Sequence, residues 1–112
     1  MLHRMNLRPE PFEKIRSGQK TIELRLYDEK RRLIVPGDLI RFSCEGENIL
    51  TEVLILHRFS SFEELYASLP LEKCGYTACE LTTASPSDME LYYTPEQQAR
   101  YGVVGIELKL IG

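Results

Sequence analysis

The 112-residue chain has no tryptophan, only two histidines and only three cysteines, and each scarcity closes off a class of function. Cys44, Cys74 and Cys79 are odd in number, in a chain long enough to bury a core without staples. Reduced thiols in a cytoplasmic protein are therefore expected, not a disulfide framework. Together with His57, Cys74 and Cys79 make at most three ligands where tetrahedral zinc takes four, so no metal is expected. The glycines form neither a P-loop nor a dinucleotide fingerprint, so no cofactor is expected. His3 and His57 fall on predicted strands, and spacing alone identifies no Ser-His-Asp set. No apolar run approaches the roughly 20 residues a membrane helix needs, and no apolar stretch followed by small residues marks an export signal.

An excess of positive charge is also missing. The net charge is −3, which argues against long, sequence-blind tracking of phosphate backbones. The cations are nevertheless gathered early, at Lys14, Arg16, Lys20, Arg25, Lys30, Arg31 and Arg32, while the carboxylates are spread more widely. One basic edge on an otherwise acidic molecule is the expectation.

What is present is an ordinary globular composition, 43% hydrophobic and 28% charged, with turn signals at short intervals. His3–Leu7 alternates as a strand. A short helix follows from Pro9 or Glu10, with Phe12 and Ile15 on one face and Gly18 at the left-handed position after its end. Lys20–Tyr27 reads as a strand, with Ile22, Leu24 and Leu26 on one face and Thr21, Glu23, Arg25 and Tyr27 on the other. Asp28–Arg32 is a charged turn. Pro36-Gly37-Asp38 introduces a strand at Leu39–Cys44, and Glu45–Asn48 turns the chain into a buried strand at Ile49–Leu56.

Ser60 or Ser61 caps a helix whose apolar face is Phe62, Leu65, Tyr66 and Leu69, closed by Pro70. Residues 71–84 carry no readable pattern. Ser85-Pro86 and Thr94-Pro95 each open a short helix, and Val103–Ile111 is the clearest strand. No repeat or linker divides the chain, so residues 1–112 form one domain with a small mixed or barrel-like sheet.

The segment Gly18–Arg25 is the most unusual local feature. On a strand Glu23 and Arg25 project from one face, close enough to pair or to share a ligand. Lys20 has the opposite parity and meets them only if the chain is irregular just after Gly18. Read from spacing alone, this is most simply a solvated strand face with a surface ion pair of little energetic weight.

Gly18, Lys20, Glu23 and Arg25 also stand in the pattern G-x-K-x-x-E-x-R, the signature of ASCH (activating signal cointegrator homology) domains. Pro11-Phe12 before it, Pro36-Gly37-Asp38 after it and the ending Tyr101-Gly102-Val103-Val104-Gly105-Ile106 resemble the same family, over essentially the whole chain. The resemblance implies an α+β, PUA-like small mixed β-barrel with short peripheral helices. It also implies a cleft, lined by the signature residues beside the first helix, that binds RNA or a modified nucleotide.

Some short relatives are amidohydrolases that deacetylate N4-acetylcytidine through a lysine, a threonine and a glutamate, and at least one relative is a ribonuclease. The lysine matches Lys20 and an arginine matches Arg25, while Thr94-Pro95-Glu96 is the counterpart of the glutamate. The threonine's position holds Glu23, and a carboxylate cannot serve as an acyl-accepting hydroxyl. The resemblance therefore leaves three functions open: a binding module, a hydrolase with Lys20 and Glu23 exchanging protons (Glu96 assisting), and a protein-interaction domain. In the binding reading Gly18, Lys20, Glu23 and Arg25 form the site. Tyr27, Tyr92, Tyr93 and Tyr101 offer stacking surfaces, Tyr92 and Tyr93 above all because two adjacent rings cannot both face one core. Tyr66 and Tyr76 are read as packing residues with surface hydroxyls. No membrane partner is expected, and the oligomeric state is not legible.

Overall fold

A computed structural model describes residues 1–111. Five strands, β1 (Leu2–Asn6), β2 (Ile22–Leu26), β3 (Leu39–Cys44), β4 (Glu47–Phe59) and β5 (Val103–Leu110), form one sheet in the order β1-β3-β4-β5-β2. β1 runs parallel to β3, and every other neighbouring pair is antiparallel. The sheet curls into a half-barrel: β1 and β2 are its two edges and do not pair with each other. The barrel expected from sequence is thus open along one seam. That seam positions everything described below.

Curvature comes mainly from β4, which is longer than its sequence pattern predicts because it continues through His57 to Phe59. Its register against β5 slips between Val53 and Ile55, and an extra residue of this kind bends a strand and raises its twist. The two halves of β4 therefore serve two cores. Met5, Phe12, Ile15, Ile40, Phe42, Val53, Val104 and Ile106 fill the inner one, closed by helix α1 (Pro9–Arg16). Ile22, Leu24, Leu26, Phe62, Leu65, Met89 and Val103 fill the outer one beneath helix α2 (Phe62–Ser68).

Alternation along β5 explains this division, with Val104 and Ile106 facing inward and Val103 outward. Gly105 shares the outward parity, and a Cβ there would lie 2.7 Å from Leu69 Cδ1. The missing side chain is what lets the residue after α2 lie against the sheet.

The turn signals are used as their chemistry predicts. Asp38 accepts a bond from the Val35 backbone N–H at 3.1 Å and pairs with His3 at 2.8 Å. The bond to His3 is the largest of the influences that lower its carboxyl to about 2. Ser61 caps α2 by accepting from the Glu64 N–H.

The segment that carried no pattern, residues 71–84, contains the short helix α3 (Ala78–Leu81), opened by a Thr77/Glu80 capping box. Pro86–Leu91 is a 3-10 helix, and α4 (Pro95–Tyr101) starts from a Thr94/Gln97 capping box. Among the described residues no helix is long and apolar enough to cross a membrane.

Candidate functional site

The site begins with the way α1 ends. Gly18 takes φ +86°, and the Lys20 N–H turns back to the Lys14 carbonyl at 2.9 Å. β2 starts only at Ile22, so Lys20 and Thr21 are irregular, and Lys20 escapes the parity that would send it to the opposite face. The Thr21 and Ile22 N–H groups both donate to the Lys73 carbonyl, at 2.8 and 2.9 Å. That bridge protects the otherwise free start of an edge strand.

Glu23 and Arg25 do share a face, and it is the inner one. Their partners across the ladder are Ile106 and Val104, both fully buried, and directly opposed residues in an antiparallel pair point the same way. Glu23 is 3% exposed. Its Oε1 lies 2.8 Å from Lys20 Nζ and its Oε2 2.7 Å from Arg25 Nε. Arg25 Nη2 then donates to the Asn6 carbonyl across the open seam at 3.1 Å. This is not the solvated surface pair that spacing alone favours. One buried carboxylate holds two cations at the mouth of the half-barrel.

The electrostatics follow from that geometry. Burial pushes the Glu23 carboxyl upward, but the charges and hydrogen bonds of Lys20 and Arg25 outweigh it and hold the group below the ordinary glutamate range. For Arg25, burial acts against the charged form, and Glu23 more than compensates, so its pKa is raised. Glu23 and Arg25 are thus both held in their charged forms throughout the neutral range.

Above it lies a cleft of about 480 Å³ between the seam, α1 and the 71–93 segment. Lys20, Glu23, Arg25, Tyr92 and Tyr93 all line it. Tyr93 is the inner ring, stacked on Phe62 with centroids 6.1 Å apart. Tyr92 is the outer ring, 53% exposed, with the Arg8 guanidinium 5.2 Å from its centroid.

Gly18, Tyr27, Glu96 and Tyr101 fall outside the cleft lining. Gly18 shapes the turn but does not touch the cleft. Glu96 sits exposed on the first turn of α4, away from it. The Thr94-Pro95 helix start caps itself through Gln97, so nothing draws Glu96 toward the triad.

Lys14, Tyr66, Tyr76 and Asp88 also line the cleft, and sequence reasoning placed none of them at the site. Lys14 reaches the Gly75 carbonyl at 2.7 Å and pairs with Glu10 and Glu80 at 3.1 and 3.3 Å. The Glu10/Lys14 spacing of one helical turn was the available signal. Tyr66, Tyr76 and Asp88 form a hydrogen-bonded row on the far wall: the two hydroxyls are 2.5 Å apart, and the Tyr76 hydroxyl donates to Asp88 Oδ2 at 2.9 Å. Both hydroxyls thus belong to the cleft and not to the outer surface, and they meet because Tyr76 comes from the segment that carries no periodic pattern. Cys74 also lines the cleft, and burial pushes its thiol up to about 11, which leaves it inert at neutral pH. Cys79 is exposed, and His57 pairs with Glu107 at 3.0 Å. Among the described residues no three metal-ligating side chains converge.

Much of the basic edge is internally neutralised. Lys14, Arg16, Lys20, Arg25 and Arg31 each have a carboxylate partner. Arg32 and Arg58 have none among the described residues. They flank the Tyr27 ring at 4.6 and 5.6 Å from its centroid, over a separate shallow depression of about 440 Å³.

Comparison with known proteins gives three results. A family model described as "ASCH domain" matches residues 5–112. The crystal structure of the hypothetical protein PH0355 is 38% identical with a TM-score of 0.83, covering 99% of this chain and 100% of that one. The solution structure of protein PF0455 from Pyrococcus furiosus is 36% identical with a TM-score of 0.74, covering 99% and 98%. A mutant ASCH protein from Zymomonas mobilis shares the fold, with a TM-score of 0.65 at 14% identity over 99% of this chain and 75% of that one. No curated protein matches the chain.

Proposed function

The chain belongs to the ASCH domain family and has its α+β, PUA-like fold, and from that premise we propose that it is a binding module for RNA or a modified nucleotide. The observation that carries this reading is the Lys20–Glu23–Arg25 triad beneath an open, partly aromatic cleft. With one carboxylate between two cations the triad keeps a net positive charge. Lys20 Nζ has hydrogens left over from Glu23, and Arg25 Nη1, without a partner among the described residues, is open to a phosphate oxygen or a base edge. Tyr92 at the rim supplies a stacking surface. Three cysteines without disulfides fit a cytoplasmic setting.

Binding here is local and not electrostatically diffuse, since most other cations of the basic edge are already paired. One or two phosphate contacts would give a shallow salt dependence, about 0.7 log units of affinity per log unit of salt per contact. The test is fluorescence anisotropy with a short labelled single-stranded RNA. Lys20→Ala and Arg25→Ala are each expected to weaken binding by about ten-fold or more, the worth of one charge-assisted contact. Unchanged affinity in both variants would overturn the placement of the site.

The hydrolase reading draws on the Lys20–Glu23 contact of 2.8 Å, but it needs Glu23 to carry a proton part of the time. Two cations oppose that. Incubation with N4-acetylcytidine is expected to release no cytidine, and steady turnover abolished by Lys20→Ala would replace the binding reading with the enzymatic one.

A further inference from the structure

A carboxylate is the natural acceptor for a ligand amine, yet each oxygen of Glu23 is engaged by a cation and the residue is all but enclosed. An acceptor free to face the cleft lies on the opposite wall. Asp88 has no hydrogen to give as a carboxylate, and its Oδ2 accepts from both the Tyr76 hydroxyl at 2.9 Å and the Ser85 N–H at 3.2 Å. The single Tyr76 hydrogen is therefore committed to Asp88. At 2.5 Å from Tyr66, the Tyr76 oxygen can only accept, so the single Tyr66 hydrogen is committed to Tyr76.

Both hydroxyls keep their protons. Burial pushes Tyr66 up to about 12, and burial followed by the bonds to Tyr66 and Asp88 raises Tyr76 as well. The row Tyr66→Tyr76→Asp88 thus has a fixed direction. Its first member has no other partner among the described residues and presents lone pairs alone to the cleft.

Building on the binding reading above, we propose that Tyr66 is a specificity-determining acceptor, polarised by Tyr76 and Asp88, which selects a nucleobase whose edge carries an exocyclic amine. The cleft then has opposite demands on its two walls. Lys20 and Arg25 offer donors at the seam, and Tyr66 offers an acceptor across from them. A base with an amine on one edge and an acceptor or phosphate on the other satisfies both. A base that presents a carbonyl to Tyr66 sets two acceptors against each other and leaves both unpaired. Tyr76 and Asp88 act through Tyr66 and are positioning residues.

The probes are cytidine against uridine 5′-monophosphate and adenosine against inosine 5′-monophosphate, titrated into the whole protein and followed by NMR or calorimetry. In each pair the first carries an exocyclic amine where the second carries a carbonyl oxygen. The amine-bearing member of at least one pair should bind about ten-fold more tightly. Tyr66→Phe should collapse that ratio to near unity while both nucleotides still bind.

Tyr76→Phe distinguishes polarity from mere packing. It leaves the Tyr66 hydroxyl in place but frees its hydrogen to point at the ligand, so the ratio should fall there too. No preference in either pair, or a preference that survives Tyr66→Phe, overturns the assignment and leaves the binding reading intact. If no nucleotide binds and RNA binding is also absent, both fall together.

Discussion

The two depressions on this molecule are similar in size and both bring arginine close to tyrosine, yet they differ in what lies beneath. At the seam, Lys20 and Arg25 are only 12% and 14% exposed and share a carboxylate that is itself buried. Around Tyr27, Arg32 and Arg58 are exposed, lack a carboxylate among the described residues, and lie on the ring with the Tyr101 carbonyl at 3.3 Å and the Tyr27 hydroxyl at 3.5 Å as their hydrogen-bond partners. Buried cations need a buried counter-charge, and the counter-charge then fixes their geometry. Exposed ones need nothing and are fixed by little. A preorganised site follows from the first arrangement and a solvated surface from the second.

Removing the counter-charge gives the largest expected contrast. Glu23→Ala leaves two nearly enclosed cations unpaired and should cost about 3–5 kcal/mol, measured by denaturant unfolding. A loss below about 1 kcal/mol would mean that the seam is as solvated as the Tyr27 face.

Next in size is an acid dependence. The Glu23 carboxyl is lowered in the folded state, so its contribution to stability is complete above the ordinary glutamate value of about 4.3. It is lost as the pH falls from there through the folded-state value. Asp38, lowered to about 2, adds a second loss nearer that pH. Glu23→Gln should remove the first component from a stability-against-pH curve and Asp38→Asn the second.

The smallest effects belong to the outer depression. Arg32→Ala and Arg58→Ala should each change stability by no more than about 0.5 kcal/mol and leave RNA affinity within about two-fold, in contrast to Lys20→Ala and Arg25→Ala.

Legibility divides along the same line. Elements with strong local chemistry could be read directly: the alternation of β5, the Pro36-Gly37-Asp38 turn, the proline-started helices and the end of α1 at Gly18. The shared face of Glu23 and Arg25 was also readable from strand parity. Their burial was not, because it depends on Val104 and Ile106 lying across the ladder, a pairing made over some eighty residues of chain.

The open seam was equally hidden, since strand order is a tertiary fact. Tyr66, Tyr76 and Asp88 meet only because the 71–84 segment, held by the Thr77/Glu80 capping box and the Lys73 carbonyl, folds back over β2. Short segments of this kind have no periodicity to read. Glu96 shows the opposite error: a sequence correspondence without the packing that would bring it to the triad.

In the proposed binding mode the compensated cleft at the seam, and not the exposed arginine face around Tyr27, receives the nucleic acid. Amide chemical-shift mapping of the whole chain with a short single-stranded RNA tests it most directly. The predicted result is a contiguous set of shifts at Asn6–Arg8, Lys20–Arg25, Cys74–Tyr76 and Asp88–Tyr93. Shifts centred on Tyr27, Arg32 and Arg58 with the seam unmoved would contradict it.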